Sequence, residues 1–193
     1  MLFFLVIIFF VIFSIVIYSN SVLNNVVEYL IDNEIKDTTK SINLYLHQYF
    51  RFNKMEFNKI SFASKSSAIS RDLTYRLDKT VYIYNDMGGL LYPRTEKYKQ
   101  LKRTKDMENA LNGELSYTIE YKDDKALVYV SYPIFREDKL IGMIRFANDY
   151  TPLFNKTKLF INKTLIFSVM IFAVSMIIAV SYTHLTLPTN VNV

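Results

Sequence analysis

Two uncharged apolar runs, one near each end of the chain, enclose a middle in which polar and apolar residues alternate. The runs cover residues 2–18 and 164–180, and at 1.5 Å per residue each approaches the thickness of a bilayer's hydrocarbon core. We therefore predict membrane helices over residues 1–19 and 164–181. A cleaved signal peptide is the alternative for the first run, but no basic residue precedes it and no small-x-small cleavage site follows.

Between these runs, residues 20–79 contain neither Gly nor Pro, which favours long helices. An apolar stripe with a period of 3.5 residues begins this part. It consists of Ile31, Ile35, Thr38, Ile42, Tyr45, Tyr49 and Phe52. Such a stripe packs either on its own domain or against the same helix of a second subunit, so a homodimer is one expectation. Phe57, Ile60, Ile69, Leu73 and Leu77 continue the helical spacing less regularly and predict a broken second helix ending near Lys79.

Residues 80–150 instead have a residue pattern typical of β-strands. VYIYN and LLYP are separated by a turn containing Gly88 and Gly89, and ALVYVSYPIF and LIGMIRFANDY are separated by REDK. With SYTIEY and the turn KDDK, these runs predict a five-stranded antiparallel sheet. A short helix that includes Met107 and ends at Gly113 should precede SYTIEY. The predicted fold class is α+β, with one domain over residues 20–163, helical over 20–79 and sheet-containing over 80–150.

All 23 Lys and Arg and all 18 Asp and Glu lie between Glu28 and Lys163. The first charges after the first apolar run are acidic, which favours an extracytoplasmic domain because cytoplasmic flanks are enriched in Lys and Arg. Only the net charge of +5 favours nucleic-acid binding. A domain held between two membrane helices is poorly placed for it, so we expect the lipid membrane, and no nucleic acid, as a partner.

No arrangement of residues predicts catalysis. The chain has no Cys, and its two His, His47 and His184, lie far apart, so neither a His-based triad nor a metal cluster is expected. The four glycines form no phosphate-binding loop. We expect no catalytic residue, no metal and no cofactor in this chain.

A ligand-binding surface is the remaining chemical possibility. The predicted sheet is rich in tyrosine, a residue type that lines small-molecule pockets but at strand spacing is also ordinary core. Arg145 shares a strand face with apolar residues and needs an anionic partner, either an internal carboxylate or a ligand carboxylate or phosphate. The basic segment from Arg94 to Lys105 is either a solvated loop or the mouth of an anion site. The predicted ligand-binding residues are Tyr82, Tyr84, Arg94, Tyr129 and Arg145, and the expected ligand is a small anion such as a carboxylate.

The order of VYIYNDMGGLLYP, ALNGE, LVYVSYPIF and EDKLIGMIRFANDY between two apolar spans resembles the extracytoplasmic single-Cache, PAS-like sensor region of bacterial sensor histidine kinases. The resemblance covers about residues 1–181. It implies a bacterial plasma-membrane protein with an extracytoplasmic domain, a ligand pocket on the sheet and dimeric long helices. It further implies a two-component signal-input module that relays binding through the second membrane helix.

The chain departs from that family after the second span. It has no HAMP linker, phosphoacceptor histidine motif or ATP-binding domain, so no kinase residue is carried over. The tail over residues 182–193 resembles a translated sequencing adapter, which predicts a fragment of a longer protein; the absence of basic residues before Leu2 suggests a start upstream. Two alternatives stay open. The chain is a non-catalytic accessory or interaction subunit of a membrane complex, or the input domain of a chemoreceptor or cyclic-dinucleotide enzyme.

Overall fold

A computed structural model of the protein describes residues 2–93 and 103–186, with side-chain surroundings for residues 6–93 and 103–182. Five helices and five strands are found in these residues. In chain order they are α1 (Leu2–Phe52), α2 (Lys59–Ser64), α3 (Ser66–Leu77), β1 (Thr80–Asn85), β2 (Leu90–Tyr92), α4 (Lys105–Leu111), β3 (Ser116–Lys122), β4 (Lys125–Arg136), β5 (Lys139–Asp149) and α5 (Thr151–Thr186). The predicted α+β class and the predicted order of elements are confirmed. Most of the basic segment that starts at Arg94 lies outside the described residues.

The chain forms two compact units. One contains α1 up to Leu30 and α5 from Leu153 onward, and the other runs from Ile31 to Pro152. In the first unit, α1 and α5 each contain a stretch with a mean hydropathy of 2.5 that makes the helix long and apolar enough to cross a membrane. The ring of Phe9 meets the ring of Phe172 edge to face, with 6.0 Å between centroids.

Several hydroxyl groups of α5 form hydrogen bonds within the helix itself. Four of them donate to the carbonyl oxygen four residues earlier, at 2.8 to 3.0 Å: those of Thr157, Thr164, Ser168 and Ser175. A bilayer core offers no water to satisfy such groups, so this internal bonding suits a membrane helix. Most of the large apolar side chains of α5, such as Phe167 and Ile177, are exposed on its surface.

The unit from Ile31 to Pro152 is built around the predicted five-stranded sheet, in the order β2-β1-β5-β4-β3 with antiparallel neighbours. The two hairpins β3–β4 and β4–β5 turn through acidic pairs with positive φ, Asp123 with Asp124 and Glu137 with Asp138. Two consecutive positive φ values give a hairpin turn whose twist matches that of the strands. The predicted turns KDDK and REDK are therefore confirmed.

The sheet has two differently covered faces. Val81, Ile83, Ile144 and Phe146 share the first face and are almost wholly buried. Helices α2 and α3 lie on that side: a methyl group at Gly142 would clash with the ring of Phe62, and the Ser70 hydroxyl donates to the carbonyl oxygen of Val81 at 2.6 Å. The second face carries Tyr82, Tyr84, Met143 and Arg145, and α4 covers it.

The apolar stripe of α1 packs within its own domain, which is one of the two alternatives that the sequence left open. Its residues from Ile31 to Tyr45 are buried, together with Thr39, Leu46 and Phe50. The stripe is therefore wider than the predicted seam, as is usual for a helix that covers a core. Phe52 differs from the prediction and is exposed, because two residues on a helix point about 200° apart and Phe50 takes the buried position, stacked on Phe57 at 4.6 Å.

The carboxylate of Glu34 joins α1 to the end of β5. It accepts hydrogen bonds from Lys79 Nζ at 2.7 Å and from Asn148 Nδ2 at 3.2 Å on Oε1, and from the Tyr150 hydroxyl on Oε2. Burial acts to raise the pKa of Glu34, but the bonds from Lys79 and Tyr150 outweigh it and lower that pKa. We call these four side chains the Glu34 clasp.

The packing of α1 predicts a contrast between a buried and an exposed isoleucine. Ile42 of α1 is 0% exposed and Ile60 of α2 is 81% exposed. Ile42→Ala should lower the free energy of unfolding by about 2–5 kcal/mol, because it removes buried methyl groups and leaves a cavity. The matched control Ile60→Ala should change it by less than about 0.5 kcal/mol. Urea denaturation of the full chain in detergent micelles, followed by circular dichroism, measures both; equal losses would show that the stripe is not core.

Candidate functional site

The second face of the sheet brings aromatic, methionine and charged side chains together beneath α4. Tyr82 and Tyr84 of β1, Met143 of β5, and Met107 and Ala110 of α4 form one buried cluster, with Leu90 packed against it. The tyrosines reach the same face because strand residues two apart point the same way. This face is the candidate functional site.

Arg145 is buried at the centre of this face and is paired with Asp106 of α4. Arg145 Nε donates to Asp106 Oδ2 at 2.9 Å, and Nη2 donates to Oδ1 at 3.3 Å. The Arg145 side chain is 3% exposed and that of Asp106 0%. Of the two kinds of partner predicted for Arg145, the structure therefore shows the internal carboxylate.

Two hydroxyl groups complete the surroundings of this ion pair. Ser131, the cross-strand neighbour of Arg145 on β4, donates to Asp106 Oδ2 at 2.6 Å. Thr104, directly before α4, accepts from Arg145 Nη2 at 3.0 Å. We call Thr104, Asp106, Ser131 and Arg145 the Arg145 network. It ties the first turn of α4 to two central strands, and a charged group so deeply buried needs this many partners.

The network keeps Asp106 ionised. Burial alone would raise the pKa of its carboxyl group, but the hydrogen bonds from Ser131 and Thr104 and the positive charge of Arg145 act in the opposite direction and lower it. At neutral pH the site therefore contains one buried guanidinium and one buried carboxylate. Their charges cancel.

Two tyrosines lie next to the guanidinium. The Arg145 Cζ atom is 4.4 Å from the centroid of the Tyr129 ring, close enough for a cation–π interaction. The Tyr84 hydroxyl is buried, and among the residues that the structure describes no group forms a hydrogen bond with it. Burial raises the pKa of Tyr84, and the nearby charge of Arg145 offsets this in part.

Four of the five predicted ligand-binding residues meet on this face: Tyr82, Tyr84, Tyr129 and Arg145. Arg94 lies outside the described residues. Sequence reasoning did not identify Asp106, Thr104 or Ser131. The available signal was weak, namely an acidic residue in the first turn of a short helix, where Asp is common without any ligand.

Two open clefts lie elsewhere on this unit. One, of about 410 Å³, has a rim of both charge signs that includes Lys59, Asp86 and Arg136. The other, of about 570 Å³, lies between α3 and β2. Across residues 6–93 and 103–182, no three His, Asp or Glu side chains are grouped so as to hold a metal ion.

Comparisons with known proteins give little further information. No protein-family model matches the chain, and no curated protein matches it significantly. Among solved structures, the crystal structure of the E. coli DcuS sensor domain is similar with a TM-score of 0.38 and 19% identity. The match covers 52% of this chain and 72% of that one. A likeness at this level assigns neither a family nor a ligand to the chain.

The Arg145 network predicts a pH-dependent contribution to stability. Because the folded state lowers the pKa of Asp106, this contribution is present above the unfolded value of about 4 and is lost as the pH falls through the folded pKa. Asp106→Ala should cost about 3–5 kcal/mol at pH 7, since it leaves Arg145 buried without a counter-charge. The deficit relative to wild type should shrink at pH 2–3.

Urea unfolding of the full chain in micelles at pH 7 and at low pH measures this difference. Asp124→Ala serves as the control, since Asp124 lies in an exposed hairpin turn. A deficit for Asp106→Ala that is the same at both pH values would contradict the assigned ion pair.

Proposed function

We propose that the chain is the membrane-bound signal-input module of a two-component signalling protein, a sensor histidine kinase, in the plasma membrane of a bacterium. In this role the central domain is extracytoplasmic, detects a small ligand and relays its binding through α5. The observation that carries the proposal is the position of β5. The strand contains Arg145 in the candidate site and, after the single residue Tyr150, is followed by the membrane-length helix α5.

The proposed ligand is a small anion such as a carboxylate. Support comes from the guanidinium of Arg145, which matches the planar geometry of a carboxylate, and from the aromatic surface of Tyr82, Tyr84 and Tyr129 around it. Arg94 begins a strongly basic part of the sequence, whose charge would attract an anion to this domain. The same arrangement gives no support to an enzymatic role for this chain.

The extracytoplasmic orientation rests on the charges next to the first apolar run. Glu28, Asp32 and Glu34 follow that run before any basic residue does. A cytoplasmic flank would be expected to carry an excess of Lys and Arg.

A homodimer is part of the proposal. Because the stripe of α1 is buried in its own domain, the contact would use the outward side of α1, where Leu44 is an exposed apolar residue. Parallel contact between two copies along this side would let α1 and α5 of each copy respond together.

The rival function is a non-catalytic accessory subunit of a membrane complex, whose domain binds a protein. Input domains of chemoreceptors or cyclic-dinucleotide enzymes would share the ligand chemistry and differ only in output. Binding of a small molecule separates the accessory subunit from the three sensor functions.

The ligand proposal predicts a selective thermal shift. The full chain in micelles is heated with a panel of carboxylates, amino acids, phosphates and sugars, and a ligand that binds the folded state alone must raise the melting temperature. At 100 times its Kd such a ligand adds about 2.7 kcal/mol. We expect a shift with at least one small anion. Its loss in Arg145→Lys, measured by calorimetry on folded protein, would place the anion at Arg145, because Lys lacks the planar fork.

A panel without any shift, together with capture of one defined protein partner, would instead favour the accessory subunit. Arg136→Lys provides the matched control, since Arg136 is half exposed at the end of β4 and lies outside the Arg145 network. It should bind the anion as wild type does.

The dimer proposal predicts which cysteines crosslink. The chain has no Cys, so single substitutions report without background. Ser41→Cys, Leu44→Cys and Gln48→Cys occupy exposed positions three and four residues apart and should form intermolecular disulfides in membranes. Ile42→Cys, which is buried, should not. Absence of crosslinks at all three exposed positions would show that α1 is not the dimer contact.

A further inference from the structure

The candidate site already contains an anion, namely the carboxylate of Asp106. Its two oxygens accept hydrogen bonds from Nε and Nη2 of Arg145 and from the hydroxyl group of Ser131. These are the bonds that a planar carboxylate ligand would form with the same strands. Asp106 therefore lies where a carboxylate ligand bound to Arg145 and Ser131 would lie.

Among the described side chains, this face has no counter-charge for a second carboxylate at the same place. Arg145 is the only cation among the described side chains that contact Asp106, and both residues are removed from water. A second carboxylate beside them would leave one buried negative charge without a counter-charge, which is strongly unfavourable. Binding of a ligand carboxylate to Arg145 and retention of Asp106 are thus mutually exclusive.

Asp106 lies on a short helix. Helix α4 has seven residues, and an isolated helix of that length is not stable in water. It is held to the sheet by the bonds of Asp106, by the packing of Met107 and Ala110, and at its far end by a hydrogen bond from Asn109 Nδ2 to the Ser116 hydroxyl at 3.1 Å. At its other end, Gly113 has a φ of 94°, a conformation that is favourable mainly for glycine and lets the chain turn sharply there.

An unused hydrogen-bonding group lies beside the pair. The Tyr84 hydroxyl is more than nine-tenths buried and lies near Arg145, which can only donate hydrogen bonds, so the hydroxyl proton has no acceptor among the described residues. Burying a hydroxyl without a partner costs free energy. An incoming carboxylate on Arg145 would supply the acceptor that Asp106 does not.

From these observations we propose that Asp106 is an internal competitor for the ligand: a small carboxylate binds Arg145 by displacing Asp106, and this releases the first turn of α4 from β4 and β5. The inference rests on the proposed function, since it assumes that Arg145 receives the anion. In the ligand-free protein the bonds of Asp106 to Arg145 and Ser131 hold the first turn of α4 to β4 and β5, and we call these bonds the latch. In the ligand-bound protein these bonds are broken and the first turn of α4 is no longer held to the sheet.

The first test compares carboxylate affinity with and without the competitor. Acetate, succinate and citrate are titrated by calorimetry into the full chain in micelles, as wild type, Asp106→Asn and the exposed control Asp124→Asn. The apparent affinity of a site that is open only part of the time is reduced by the open fraction. Asp106→Asn should therefore bind at least one of the three about tenfold more tightly than wild type or better, and Asp124→Asn should match wild type.

The second test uses the unsubstituted protein and so does not depend on the folding of Asp106→Asn. The amides of Met107 and Glu108 donate to the carbonyl oxygen of Thr104 in the first turn of α4. Hydrogen exchange at these amides should become at least about tenfold faster when the carboxylate is bound. A ligand that merely filled a cavity beneath α4 would slow them.

The outcomes separate the two levels of the proposal. Carboxylate binding to wild type with unchanged affinity in folded Asp106→Asn, or with unchanged or slower exchange in α4, overturns the latch and leaves the sensor function standing. No binding of acetate, succinate or citrate to either protein overturns both the latch and the carboxylate ligand. Tighter binding to Asp106→Asn with faster exchange in wild-type α4 supports both.

Discussion

The buried guanidinium of Arg145 is the constraint that organises one whole side of the sheet. An arginine on a strand face lined by Tyr82, Met143 and Ala147 cannot reach water, so it has to find a carboxylate inside the protein. Asp106 supplies it and thereby fixes the position of α4, which in turn covers the tyrosines of β1. The hydroxyl group of Ser131 then donates a further hydrogen bond to Asp106, and that of Thr104 accepts one from Arg145.

The other face of the sheet follows a simpler rule. Its aliphatic and aromatic residues pack against helices α2 and α3, and the buried hydroxyl of Ser70 adds a hydrogen bond to the carbonyl oxygen of Val81. The first face is close-packed and rigid, whereas the second holds one buried ion pair, Arg145 with Asp106.

Much of this architecture was predictable because it depends on local patterns. The stripe from Ile31 to Tyr45 repeats at helical spacing, and the strand runs are bounded by turn residues such as Asp123 and Asp138. The strand face of Arg145 was also predictable from alternation alone. Its partner was not, because Asp106 is 39 residues away in the chain and nothing in the spacing of α4 marks it. The exposure of Phe52 was missed since two aromatic residues near the end of one helix compete for a single buried position.

The Glu34 clasp has a mechanical consequence for the unit from Ile31 to Pro152. A single carboxylate on α1 holds Asn148 of β5 and Tyr150, the residue after β5, and also holds Lys79, which precedes β1. The two chain segments that leave this unit, α1 and the end of β5, are therefore joined at one point by charge-assisted hydrogen bonds. A sliding movement of α1 along the end of β5 would have to break these bonds first.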